Sequence, residues 1–276
     1  MATQTEDRGL GTTYERFAIY RWLETLPQRL PDIQTVLEGP GDGVAGIPGI
    51  HGLPLARHDC RVIVALKDKA DIAVASRVWK AQGYLEEVTF LQTERLPLPL
   101  PDQCVDLVWN FNRLPFEPPV TLLEDMQRLS RRYVALVVPN RMNYGFPARR
   151  LYHWRTGEPW EYGNTEVMSP KFVKELLSKI GLNLIEMRWI DVAWWPDIID
   201  PVAWLNAMVP GTGRLLSKSK SDGYRWMPET LPYFDPGQEE LRKRMNALAF
   251  LERWPIPKRL FAHHFAVLAE KNHADF

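Results

Sequence analysis

The chain is short of cysteine, of long apolar runs and of any excess of one charge, and each shortage removes a class of function. Two cysteines, Cys60 and Cys104, in 276 residues supply neither a disulfide framework nor four thiolates for a structural zinc site. Thirty-four basic residues balance 34 acidic ones. No basic face suited to a phosphate backbone is expected, and so no nucleic-acid partner. The tight pairs Arg131-Arg132 and Arg149-Arg150 read as solvated surface. The longest purely apolar run of the sheet region, residues 134–138, is far short of a membrane span. The first residues lack the basic start and apolar stretch of a secretory signal, so the expectation is a cytoplasmic protein. The chain carries no Gly-x-Ser-x-Gly elbow, no His-Glu-x-x-His helix and no Gly-Lys-Ser/Thr phosphate loop, which leaves nucleophilic and nucleotide hydrolysis without visible machinery.

What is present is an alternation of short apolar runs and amphipathic stretches. Runs at 35–37, 61–66, 88–91, 105–109 and 133–138 have the continuous apolar character of strands buried on both faces, and the segments between them read as helices. That pattern predicts an α/β fold with a doubly wound, mostly parallel sheet. Thr12-Thr13 stands before apolar residues at helical spacing and predicts a helix from there to Leu26. Residues 1–11 are expected to form a loose arm. Further helices are expected at about 68–82, 120–129 and 169–180, the last opened by Ser-Pro and closed by Gly181. Strands at 184–189 and 261–268 bring the sheet to seven. Residues 141–169 are polar and aromatic without clear periodicity. A helical insertion fills 190–260, with helices near 201–208 and 238–254. The whole chain, 1–276, reads as a single domain, with 12–140 as its cofactor-binding half and 141–169 and 190–260 as lid or substrate elements.

Directly after the first strand the chain runs Glu38-Gly-Pro-Gly-Asp-Gly43. Glycines at alternate positions allow positive φ and let a ligand approach backbone N–H groups. At the carboxyl end of the first strand of a doubly wound sheet this is where a nucleotide-like cofactor sits. Gly41-Asp-Gly-Val-Ala-Gly46 also matches the dinucleotide pattern literally. That pattern wants an acid about twenty residues on for the adenosine ribose, where the second strand ends Ala65-Leu66-Lys67 and Asp68 is the first acid. The match is therefore poor support for nicotinamide binding, and a nicotinamide enzyme on the same sheet is kept only as a second rival.

The stretch from Phe90 through Leu96-Pro97-Leu98-Pro99 to Val105-Asp-Leu-Val-Trp-Asn110 resembles the third and fourth strands of class I S-adenosylmethionine-dependent methyltransferases. Residues 132–140 resemble that family's fifth strand, and 172–189 its last helix and sixth strand. The resemblance spans about residues 12–189 plus the final strand. It implies a Rossmann-like methyltransferase fold, S-adenosylmethionine as cofactor and methyl transfer to a small acceptor. By resemblance Glu38, Gly39, Gly41 and Gly43 line the methionine part, and Leu66 or Asp68 lies at the ribose. Thr93, Glu94, Arg95 and Leu96 edge the adenine, and Asn110 lies beneath the sulfonium; from its place in the helix before the first strand, Tyr14 is expected to cover the cofactor. Two positions depart from the family pattern. Glu38 abuts Gly39, where the family spaces acid and glycine by one residue, and Leu66 replaces the ribose acid. A missing bidentate acceptor forfeits hydrogen bonds of about 1 kcal/mol each.

Seven of the eleven tryptophans, among them Trp154, Trp160, Trp194 and Trp195, fall in residues 151–233. They predict an aromatic lid over an apolar or aromatic acceptor pocket, with the plain packing of added helices as the alternative. His153, in Tyr-His-Trp, and Tyr144 are the candidate catalytic residues, since a histidine can take a proton near neutral pH. His263-His264 lie in the last strand, where alternation sends consecutive rings to opposite faces, so no metal site is expected. The departures at Glu38 and Leu66 keep open a methyltransferase fold that has lost turnover and serves as a binding or scaffold subunit. A homodimer or a heteromeric partner fits either reading.

Overall fold

A computed structural model of the chain describes residues 4–30, 32–41, 46–93, 95–197, 201–209 and 223–272, the side chains of 201–203 apart. The core is a seven-stranded sheet. In chain order its strands are β2 (Thr35–Glu38), β3 (Arg61–Leu66), β4 (Val88–Gln92), β5 (Val105–Phe111), β6 (Ser130–Pro139), β7 (Leu182–Val192) and β9 (Ala262–Lys271). They lie in the order β4-β3-β2-β5-β6-β9-β7. All pairings from β4 to β6 are parallel, and β9 runs antiparallel between β6 and β7. The chain winds outward from β2 to β4, then returns to β5 on the other side, so the direction of winding reverses between β2 and β5.

Two-residue alternation sends the buried strand side chains to the two faces. Leu37, Val108, Val134, Leu136, Val138, Phe265, Val267 and Ala269 face one way. Against them pack α5 (Pro119–Leu129), through Leu122, Leu123 and Met126, and α7 (Pro170–Lys179), through Val173 and Leu177. Val36, Leu107, Trp109, Ala135, Val137, Ala266 and Leu268 face the other way, under α1 (Leu10–Leu23) and its Ile19, Trp22 and Leu23. Beyond β3 the same layer continues into α4 (Lys69–Ala81) and the turn around Ile47 and Ile50. Leu231, Tyr233 and Met245 of the insertion wedge into it.

Three expectations change. Helix α1 starts at Leu10 with Gly9 as its N-cap, and the Thr13 hydroxyl bonds back to the Gly9 carbonyl at 2.9 Å without capping the helix. The expected loose arm is partly ordered: β1 (Asp7–Arg8) pairs antiparallel with β8 (Arg225–Trp226), and Asp7 is fully buried. Residues 146–156, unassigned by periodicity, form α6 (Phe146–Thr156) with no buried residue. A helix that buries no side chain has no apolar stripe to read. The α6 helix packs against α8 (Pro201–Met208), where the Trp204 indole donates to the Ala148 carbonyl at 2.9 Å.

Candidate functional site

The turn after β2 is fixed from both sides. The Gly39 amide donates to the Trp109 carbonyl of β5 at 3.0 Å, and the Gly41 amide to the Ala65 carbonyl of β3 at 2.7 Å. Gly39 has φ +145°, and a Cβ there would stand 2.8 Å from the Ala65 Cβ. That glycine is required by its contact with β3. Gly41 differs: at φ +59° a Cβ would stand 3.8 Å from Arg113 Nε, the nearest atom among the described residues and an ordinary contact. Among the described residues nothing crowds this face, a cradle at the point where the winding reverses, the usual ligand position in open α/β sheets. Asn110 braces the cradle, its amide reaching the Pro40 and Gly41 carbonyls at 3.4 and 3.5 Å while its Oδ1 accepts from the Arg113 amide at 3.1 Å. Beside Gly41 the Arg113 guanidinium pairs with Glu117, and its buried Nε has no partner.

Glu38 is buried and turned inward, where it accepts from the Gly52 and His51 amides at 2.5 and 3.3 Å. Behind it lies a charged cluster that motif reasoning missed. Arg16 of α1 holds Asp7 through two bonds of 3.0 and 2.8 Å, both side chains being fully buried. The same guanidinium reaches the His51 ring at 2.9 Å and the Ile47 carbonyl at 2.8 Å. Asp7 also accepts from the Tyr233 hydroxyl at 2.6 Å and the Ile47 amide at 2.8 Å. Burial alone would raise the Asp7 pKa. The Arg16 charge and these donors outweigh it and hold the carboxyl below its ordinary value. No sequence signal sets Arg16 apart, since Arg21 also stands among the apolar residues of α1.

On the ribose side, Leu66 is buried under Gly49, whose missing Cβ would lie 2.7 Å from Leu66 Cδ1. Asp68 is exposed at the start of α4. Thr93 donates its amide to the Leu66 carbonyl at 2.9 Å, Arg95 is exposed, and Leu96 packs on the core. Gly43 and Glu94 lie outside the described residues.

His153, Trp154 and Trp160 come together. With Arg150, Gly163 and Thr165 they line a pocket of about 460 Å³ between α6 and the following loop. The loop is tied to the segment after β5 by the Asn164 amide, which donates to the Pro115 carbonyl at 2.7 Å. His153 meets the Trp160 and Tyr162 rings edge-on at 5.3 and 5.6 Å. Its Nδ1 lies 3.1 Å from the Glu158 carbonyl, an acceptor, so Nδ1 carries the hydrogen and the buried, unpartnered Nε2 keeps a lone pair. Trp154 is 79% exposed. Tyr144 stands apart, its hydroxyl donating to the Trp194 carbonyl at 2.5 Å. Trp195 packs edge-on against the buried Tyr14, whose hydroxyl donates to the Val192 carbonyl at 3.0 Å.

The two C-terminal histidines overturn the alternation argument. His263 and His264 are both buried, and their Nδ1 atoms approach the same Asp191 oxygen at 3.2 and 3.1 Å. Asp191 has φ +53°, unlike the extended residues around it, while the β7–β9 register is the same on either side of it; its carboxylate reaches both rings. Burial opposes protonation of His263, but Asp191 outweighs it and lifts that pKa to about 9. Glu15 lies 3.7 Å from His264 Nε2, and burial pushes its carboxyl up to about 7.

The order of the seven strands, with the last antiparallel between the fifth and sixth, is the Rossmann-like fold of class I S-adenosylmethionine-dependent methyltransferases. No family model matches the chain, and no curated protein matches it. Among solved structures it is similar to the YcgJ protein of Bacillus subtilis, with 14% identity, 92% of this chain and 97% of that one covered, and a TM-score of 0.51. It is similar also to the MccD protein, with 8% identity, 92% and 96% coverage and a TM-score of 0.53. A geranyl diphosphate methyltransferase in complex with S-adenosylmethionine gives 14% identity, 91% and 85% coverage and a TM-score of 0.47. Likeness at such identities shows the fold. Among the described residues no helix is long and apolar enough to cross a membrane.

Proposed function

We propose that the chain binds S-adenosylmethionine at the Gly41 turn and transfers its methyl group to a small aromatic or apolar acceptor in the His153 pocket. The observation that carries this reading is the Gly41 face, uncrowded among the described residues, beside the unpartnered Arg113 Nε. A buried guanidinium N–H without an acceptor is costly, and a ligand carboxylate at that turn would complete it. The methionine end of the cofactor thus suits the residues present: the 39–41 backbone and Arg113 would hold it, with Asn110 fixing the turn. When bound, the sulfonium supplies an electrophilic methyl group.

The chain's own residues then have three tasks. The Trp154 and Trp160 faces exclude water and align a flat acceptor. The His153 Nε2 lone pair takes the acceptor's proton, since the Glu158 carbonyl fixes the hydrogen on Nδ1. Arg150, on the pocket wall, favours an acceptor that carries a negative group.

A second reading, a binding subunit without turnover, is favoured by Leu66, which leaves no carboxylate at the end of β3 for the ribose hydroxyls. Calorimetry separates the two. Saturable heat with S-adenosylmethionine, weakened roughly tenfold or more in Arg113→Ala by loss of a charged hydrogen bond of about 1.5–3 kcal/mol, supports the first. No heat at high-micromolar protein supports the second.

A further inference from the structure

The cluster around Asp191 has more acceptors than donors. Glu15 of α1, Asp191 of β7 and His264 of β9 each place one ligand-type atom within 4.8 Å of the other two. Asn112, just beyond β5, brings its carboxamide nitrogen Nδ2 to 3.2 Å from His264 Nε2. Three oxygens of this group, Glu15 Oε1, Asp191 Oδ1 and Asn112 Oδ1, are buried without any hydrogen-bond partner. Asp191 itself is 1% exposed, so water cannot satisfy its free oxygen from the surface. His263, on the far side, is fully committed: its ring spans Asp191 Oδ2 at 3.2 Å and the Trp195 carbonyl at 3.0 Å. Two of the four non-glycine residues with positive φ among the described residues, Asn112 and Asp191, stand here. The backbone is thus bent at two separate places to bring these groups together.

Two carboxylates that converge with an imidazole, each with a second oxygen left unpartnered, are the donor set of a cation, and a mixed oxygen and nitrogen set suits first-row divalent ions. We propose that Glu15, Asp191 and His264 bind one divalent transition-metal ion of the Mn2+ or Zn2+ type, with Asn112 at the edge of the site. The His263 ring, anchored on the Trp195 carbonyl, orients Asp191 from behind, as outer groups do at metal sites. Entry is through Glu15, whose side chain keeps 18% of its surface exposed. The ion would tie the N-terminal helix to the ends of β5, β7 and β9, and it needs no bound S-adenosylmethionine.

The test uses the full chain without cofactor. Mn2+ is titrated in and its free EPR signal followed, and the melting temperature is measured with and without Mn2+ and Zn2+. One ion per chain should be bound, with a higher melting temperature. Glu15→Gln and His264→Gln should each weaken binding roughly tenfold or more and remove the thermal gain. Glu15 is only partly buried, and Glu15→Gln keeps its size and shape, so its variant carries the test even where His264→Gln fails to fold. Absence of binding at millimolar ion, or equal binding by wild type and Glu15→Gln, overturns the proposal.

Discussion

Asp7→Ala should lower folding stability by about 3–5 kcal/mol, because it strands a buried guanidinium. Arg16 would keep only the His51 ring and the Ile47 carbonyl, and Tyr233 and the Ile47 amide would lose their acceptor. The damage falls on the joint between the N-terminal segment, α1 and the insertion, which meet at this carboxylate. Replacing the whole pair, Asp7→Leu with Arg16→Met, should cost less than Asp7→Ala alone, since no unpaired charge is left inside. The pair also sets a pH dependence. The folded Asp7 pKa lies below its ordinary value, so its stabilisation is present above about pH 4, the unfolded value, and is lost as pH falls through the folded value. Urea unfolding at neutral pH and at successively lower pH measures both effects. An Asp7→Ala chain within 1 kcal/mol of wild type, by the linear extrapolation, would remove the clasp from the account.

Gly39→Ala should cost about 2–4 kcal/mol, from a positive φ that side chains rarely adopt and from crowding against β3. The added methyl would meet the Ala65 Cβ at 2.8 Å and the Ala65 carbonyl oxygen at 3.1 Å, neither of them the end of a flexible side chain. The turn must then lift from β3, and the Gly41 amide loses its bond to Ala65. Gly41→Ala makes the contrast. Its new methyl has room in the unliganded chain but would fill the cradle, so it should impair S-adenosylmethionine binding more than its modest strain impairs folding. Urea unfolding and calorimetry on both variants check this. Equal loss of stability in the two would contradict the different roles given to the two glycines.

The sheet was readable because strands buried on both faces must be continuously apolar, and 134–138 and 62–66 are. What escaped had no local signature. The α6 helix buries nothing, so its sequence carries no stripe. The partners of Asp7, Arg16 nine residues on and Tyr233 in the insertion, are joined only by tertiary folding. Period-two alternation separated His263 from His264 correctly for a regular strand, and it failed because Asp191 leaves the strand conformation at that point. The glycine turn was visible, but the division of labour within it was not: Gly39 serves packing and Gly41 leaves space, a difference set by what β3 places opposite. Arg113 stands three residues after Asn110, close to the motif, and only its unpartnered Nε in the folded chain marks it out.

The account rests on a ligand seated where the winding of the sheet reverses. Hydrogen–deuterium exchange with and without saturating S-adenosylmethionine tests that placement directly. The account predicts slowed exchange in the peptides covering 38–41 and 110–113, with β7 and α7 unchanged. Exchange at both peptides that is indifferent to the cofactor, in a chain shown to be folded, would contradict it.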